Sequence, residues 1–233
     1  MSGKVKGDIP LHIQISEMLI REIRAGLLAT NERLPPERNM AARLKISVGT
    51  LRKALSDLES KGMLLRKHGS GNYVQYNPKA DNVYALFRLE LAKGGGLPTA
   101  DVLSVKTLKK PRSLPEFGIS SHAHRFRRLR KLNEQNVAFE EIWLDSSYTD
   151  DIDIESLPES LYLYYKEQLG FWITKVEDRV GVAPLPSWAP AELLDKSLNH
   201  FGYIERLSCD NSGNLAEYSR TWFNPITARF VAR

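Results

Sequence analysis

Three short amphipathic stretches, followed at once by a glycine-tipped hairpin pattern, constrain this chain more than any other feature. Leu11, Ile15, Leu19 and Ile23 recur every four residues, with Met18 and Ile20 beside them, so residues 10–25 predict a helix with one apolar stripe. Pro10 suits a first turn and Gly26 a C-terminal cap, while Glu17, Arg21, Glu22 and Arg24 fall mostly off the stripe. A loop holding Asn31, Leu34 and Pro35 follows. Pro36 can then open a second helix that carries Met40, Ala41 and Leu44 inward. Lys45 and Ile46 form a break. Ser47 is a good N-cap for a third helix with apolar Val48, Leu51, Ala54, Leu55 and Leu58, ended by Gly62. Two such helices joined by a short turn form a helix-turn-helix. Met63–His68 and Asn72–Val74 then read as two short strands around the tip Gly69-Ser70-Gly71, a β-hairpin wing.

Placement gives these residues their chemistry. A recognition helix enters the major groove with its N-terminal residues near base edges, which here are Val48, Gly49, Thr50, Arg52 and Lys53. Thr50 can bond a phosphate or a base, and Arg52 a phosphate or guanine. The free N–H groups beside Ser47 can receive a phosphate, and Arg38 stands early in the preceding helix. Gly69, Ser70 and Gly71 let a backbone approach DNA closely, flanked by Arg66, Lys67 and His68. A lone arginine is better explained as a solvated side chain. The convergence of these residues on one motif favours function. Charge agrees: residues 1–80 carry 14 Lys/Arg against 7 Asp/Glu, whereas the remainder is slightly acidic.

Leu34-Pro35-Pro36-Glu37-Arg38, Ile46-Ser47-Val48-Gly49-Thr50-Leu51-Arg52-Lys53-Ala54-Leu55, Leu58-Glu59 with Gly62, and Gly69-Ser70-Gly71-Asn72-Tyr73-Val74 resemble the GntR family of bacterial regulators, as does Pro10-Leu11 with Gln14-Ile15. The likeness spans about residues 8–75. It implies DNA contacts at Arg38, Ser47, Thr50, Arg52 and the Gly69–Gly71 wing. The chain departs from the family at Val48, where arginine is usual, and at Pro36, Ser70 and Asn72. The resemblance therefore does not carry the operator sequence over.

Asn77–Asn82 is polar and contains Pro78, so it reads as a linker between a DNA-binding domain at 1–76 and a second domain at 83–233. In the second domain strands dominate. They are expected at Ser104–Leu108, Ala123–Leu132, Val137–Leu144, Phe171–Val176, Tyr203–Cys209 and Leu215–Trp222, with turns at Asn133–Asn136 and Asp210–Asn214. Helices are expected at Leu161–Leu169 and Ala191–Leu198. The fold class is α+β: an N-terminal winged helix-turn-helix and a C-terminal mixed, largely antiparallel sheet.

Arg128-Leu129-Arg130, Ala138-Phe139-Glu140, Leu161-Tyr162 with Leu169-Gly170, and Glu217-Tyr218-Ser219-Arg220 with Phe223 resemble the UTRA ligand-binding domain of the HutC-type subfamily, a fold shared with a lyase of aromatic biosynthesis. That resemblance implies a dimerising domain and a small, anionic effector, a sugar phosphate or organic acid. Its contacts would fall on Arg128, Arg130, Glu140, Glu217 and Arg220, with Tyr162 and Trp222 as further candidates. Arg88 stands where the family often places Ser or Thr, and could serve an anion differently. Arginines at i and i+2 of a strand share one face and can grip a carboxylate or phosphate. A structural Arg–Glu network across the sheet is the competing reading.

No catalytic residues, cofactor or metal site are expected. His122 and His124 have no clustered Cys or carboxylates nearby, Gly94-Gly95-Gly96 lacks the Lys-Ser/Thr of a phosphate loop, and Gly-x-Ser-x-Gly is absent. A single cysteine, Cys209, no long apolar run and no secretory signal predict a cytoplasmic protein without a membrane partner. The expectation is a homodimeric, effector-responsive regulator, a repressor, on a pseudo-palindromic operator in double-stranded DNA. An enzyme using the lyase-like fold, and a non-specific nucleic-acid-binding protein, stand as alternatives. Effector, operator, sign of regulation and target genes are not legible.

Overall fold

The computed structural model describes residues 9–77, 86–154, 157–190, 193–194 and 197–232. The chain divides into two compact units, one holding Ile9–Leu97 and the other Pro98–Phe230. The first is built on α1 (Leu11–Arg24), α2 (Glu37–Leu44) and α3 (Val48–Ser60), then strands β1 (Leu64–Lys67), β2 (Gly71–Val74) and β3 (Leu89–Leu91).

Helix α1 buries Ile15, Leu19 and Ile23 as its period requires, but also Ile20, Glu17 and Arg21, while Leu11 is half exposed. The single-stripe expectation was too narrow because α1 is covered on more than one side. Glu17 is tied to Lys61 of the turn after α3 at 2.9 Å. Arg21 donates to the carbonyls of Phe87 (3.0 Å), Leu89 and Gly96 (2.9 Å). These bonds hold the 87–96 segment to α1 within the unit Ile9–Leu97. The expected linker at 77–82 lies, apart from Asn77, outside the described residues.

Ser47 caps α3 by accepting from Thr50 N at 3.0 Å, a contact that stabilises a helix start by about 1 kcal/mol. Leu51, Ala54, Leu55 and Leu58 are buried, joined by Met40, Ala41, Met63 and Val74 in one core. Lys45 adopts a left-handed conformation (φ 55°), which makes the tight turn between α2 and α3. The wing pairs Leu64 with Val74 through Lys67 with Gly71. Residues 31–34, expected as loop, run along β2 instead, with Asn31 N to Val74 O and Leu34 N to Asn72 O both at 2.9 Å.

The second unit is a six-stranded sheet, entirely antiparallel, in the order β4 (Pro98–Lys109), β5 (His122–Leu132), β6 (Gln135–Asp145), β9 (Leu215–Phe223), β8 (Phe201–Asp210) and β7 (Ile173–Ala183). It also contains the short strand β10 (Ala228–Phe230). Asn133 and Glu134 both have positive φ (49° and 64°), the backbone that a two-residue hairpin between twisted strands requires. Helix α4 (Leu161–Gln168) lies on one face of the sheet. There Leu161, Tyr164 and Tyr165 pack with Phe126, Ile142 and Leu144. The opposite face carries a smaller cluster of Phe117, Ala123, Trp143 and Tyr218. The short helix expected at 191–198 falls partly outside the described residues.

Candidate functional site

Two places bring candidate functional side chains together, one in each unit. In the helical unit Arg38, Ser47, Gly49, Arg52 and Lys53 are exposed, and Thr50 is half-buried. Ser47 and Thr50 share a hydroxyl contact at 2.8 Å besides the cap bond. Arg52 lies 2.7 Å from Glu37 at the start of α2, with 66% of its side chain accessible. Glu37 aims this guanidinium without burying it, and one edge stays open to a phosphate or base. Arg66 reaches back from the wing to Glu59 (3.0 Å), tying β1 to the recognition helix. Val48 is different: it is half-buried against the helical core. Its place among the DNA-contacting candidates therefore rests on sequence position alone.

In the wing, Ser70 shares a hydroxyl contact with Tyr73 (2.7 Å), and Lys67 lies over the Tyr73 ring at 4.5 Å. Gly71 has φ +114°, and a Cβ there would stand 3.1 Å from Arg33 Nε. The positive φ favours glycine here, while the exposed Arg33 side chain could yield the few tenths of an ångström that a Cβ needs. Arg33, an exposed cation brought beside the wing by its isolated bridge to Tyr73, was not among the expected DNA contacts. Only its pairing with β2 places it there, and no periodicity signals that pairing.

The second place is the helix-covered face of the sheet. Register puts Arg128 opposite Glu140, with Arg130 two residues along on the same face. Arg128 donates Nε and Nη2 to Glu140 Oε2 at 3.1 and 2.7 Å, and Arg130 Nη1 stands 4.0 Å from the same oxygen. Both arginines also reach the carbonyl of Glu159, immediately before the cap residue of α4, at 3.2 and 3.3 Å. Burial works against the charge on Glu140. The guanidiniums of Arg128 and Arg130 outweigh it and hold that carboxyl below its ordinary value.

Glu217 behaves oppositely. It accepts from Tyr165 (2.7 Å), Tyr162 (3.1 Å) and Ser208 (3.1 Å), yet burial, reinforced by the charge of Glu140, raises its pKa. Arg206, another residue that sequence reasoning missed, enters from β8 and holds Asp178 through two contacts of 2.6 and 2.9 Å. It carries a single strand-borne arginine without an i, i+2 partner, so the sequence offered no pattern to find it by.

Besides Glu217, six effector residues were expected in this domain. Arg128, Arg130, Glu140 and Tyr162 come together here. Arg220 and Trp222 do not: they share a face with Glu141, which stands opposite Arg220 in register, on the reverse of the sheet from Arg128 and Glu140. Strand alternation dictates this, because 217 and 220 differ by an odd number. Arg88 belongs to the helical unit, where its carbonyl accepts from Val231. Among the described residues no cluster of His, Cys, Asp and Glu is arranged to hold a metal, and no helix is long and apolar enough to cross a membrane.

Residues 11–74 match the model for bacterial regulatory proteins of the gntR family, and residues 93–227 match the UTRA domain. The HTH-type transcriptional regulator SmoD of Agrobacterium fabrum is 51% identical over 97% of both chains. The HTH-type transcriptional repressor NagR of Bacillus subtilis is 28% identical, covering 70% of this chain and 69% of that one. Among solved structures, the possible transcriptional regulator YydK from Bacillus subtilis superposes with a TM-score of 0.55 over 97% of this chain and 99% of that one, at 22% identity. With an N-terminal DNA-binding helix-turn-helix and a C-terminal UTRA domain, the chain belongs to the gntR family of bacterial transcriptional regulators.

Proposed function

We propose that the chain is a repressor that binds its operator as a homodimer and is released by a small anionic metabolite. The observation that carries this reading is the pair Arg128 and Arg130, buried on one sheet face, both reaching the carbonyl that precedes α4. Two guanidinium forks beside a helix N-terminus suit a phosphate or carboxylate. Glu140, Glu217, Ser208 and Tyr162 can meet hydroxyl groups on the same ligand. An anionic sugar derivative or a hydroxylated organic acid combines those features. The ion pairs now satisfying the arginines are competing partners that an incoming anion must replace.

Recognition would use Arg38, Thr50, Arg52 and Lys53 with the Gly69–Gly71 wing, and Arg33 in support. A two-fold dimer places two recognition helices on half-sites about 34 Å apart, or a multiple of that spacing. Effector and operator then oppose each other by linkage, each weakening the other by the same factor. The chain would work in the cytoplasm without cofactor or turnover.

The test is operator release. Sugar phosphates and sugar acids are titrated into the complex of the full chain with DNA from upstream of its own gene, followed by fluorescence anisotropy. Release by one such anion, lost in Arg128→Ala with DNA binding retained, supports the reading. Release that survives in Arg128→Ala refutes this site, and chemical conversion of the ligand would favour an enzyme.

A further inference from the structure

The reverse face of the sheet carries a charge cluster of its own. Arg127 stands opposite Glu141, and Glu141 opposite Arg220, so the three meet across β5, β6 and β9. Glu141 is almost wholly buried and its oxygens are engaged: Oε2 accepts from Arg127 (2.8 Å), and Oε1 accepts from Trp143 Nε1 (3.1 Å) and Arg220. Arg125, two residues before Arg127, adds a third guanidinium. Nε of Arg125 and Nε of Arg220 are buried with no hydrogen-bond partner.

These groups floor a cleft of about 530 Å³, walled by Lys109 and Pro111 on one side and by Pro186 and Trp188 on the other. Each arginine has a tryptophan beside it: Arg125 over Trp143 at 5.7 Å, Arg127 over Trp188 at 4.6 Å, and Arg220 over Trp222 at 5.7 Å. Trp188 and Trp222 meet edge to face at 6.0 Å. Burial and the like charge of Arg127 both work against the charge on Arg125, which Glu141 only partly relieves.

We propose that this cleft is a second binding site of the C-terminal domain, separate from the Arg128–Glu217 cluster, and that it takes a small aromatic carboxylate. Among the described residues Glu141 is the one acid in the lining, against three guanidiniums and Lys109, so a further anion is electrostatically favoured. The guanidiniums that line the cleft can offer it charge-assisted hydrogen bonds. The tryptophan walls offer an aromatic ring stacked or edge-on contact, and the volume falls in the range of small-molecule pockets. Charge alone would suit a bare inorganic anion, but would leave the apolar wall of Pro111, Pro186 and Trp188 facing water. A ring alone would leave the arginines uncompensated. An aromatic acid uses both.

The test uses the full chain and 4-fluorobenzoate, followed by ¹⁹F line broadening and by tryptophan fluorescence, since three of the four tryptophans line the cleft. The expected result is saturable binding that weakens about tenfold in Arg125→Gln and in Trp188→Ala, from loss of one charge-assisted bond or one ring contact. Neither residue belongs to the main core, and unchanged melting of each variant would confirm its fold. Arg128→Ala, held at a temperature where its melting curve shows the domain folded, should leave this binding intact. Acetate and 4-fluorobenzyl alcohol, which supply charge or ring alone, should bind at least about tenfold more weakly. The proposal is overturned by absence of saturable binding, by equal affinity in Arg125→Gln, or by loss of binding in Arg128→Ala that is shown by its melting curve to be folded. It is also overturned if binding disappears as rising protein concentration drives self-association, which would assign the cleft to a second copy of the chain.

Discussion

Replacing Arg128 with alanine should unsettle the sheet domain by an amount that follows from its contacts. Its side chain is 4% exposed and supplies both close hydrogen bonds to Glu140, whose own side chain is 13% exposed. Truncation leaves Glu140 buried with Arg130 Nη1 at 4.0 Å, and removes one donor from the Glu159 carbonyl. Stranding one partner of a buried ion pair costs about 3–5 kcal/mol. With a urea dependence of about 2 kcal/mol/M, the midpoint should fall by about 1.5–2.5 M. All four tryptophans lie between residues 143 and 222, so their fluorescence reports this domain alone. The double variant Arg128→Met, Glu140→Gln removes both charges and should recover at least about half of the loss. A fall smaller than about 0.5 M, equivalent to about 1 kcal/mol, would refute the reasoning. It would mean that water already screens the pair.

Glu140 and Glu217 should give opposite pH dependences. Glu140 has a depressed folded-state pKa, so its stabilisation is present above its unfolded value near 4.5 and is lost as pH falls through the folded value. Glu217 has a raised one, so its contribution is full below that unfolded value and is lost as pH rises through the folded value. Denaturation curves of Glu140→Gln and Glu217→Gln against the parent, from pH 3.5 to 8, should diverge in opposite senses, and parallel curves would contradict the assignment. Arg52→Ala should weaken operator binding by about 1–3 kcal/mol in anisotropy titrations, and unchanged affinity would remove Arg52 from the interface. Gly71→Ala should destabilise the wing by about 1 kcal/mol or more, because φ +114° strains alanine, and a melting point equal to the parent's would count against this. Ser47→Ala should lower helical-unit stability by about 1 kcal/mol in circular-dichroism melts, while an unchanged melt would show the cap to be dispensable.

The helix-turn-helix was legible because its signals are local. Period-four apolar residues, a serine cap and a glycine-tipped hairpin act within a few residues of one another. The burial of Glu17 and Arg21 was not, since their partners lie 44 residues away at Lys61 and 66 to 75 residues away in the 87–96 segment. Alternation along β5 correctly joined Arg128 and Arg130 on one face. It could not assign faces across strands, because which residues of β6 and β9 stand opposite is fixed by register. That is why Arg220 and Trp222, grouped with Glu217 by their nearness in sequence, turn up on the reverse of the sheet. Arg206 and Asp178 entered the site by the same kind of pairing, between β7 and β8, which no local pattern announces.

The central claim, sequence-specific DNA recognition by the helical unit, is tested most directly by anisotropy titration of the full chain. Labelled DNA from upstream of its own gene is compared with scrambled DNA of equal length, over a series of salt concentrations. The account predicts a preference of at least about 10³-fold for the upstream DNA, with affinity falling steeply as salt rises. Equal, weak binding to both sequences at every salt concentration would contradict it.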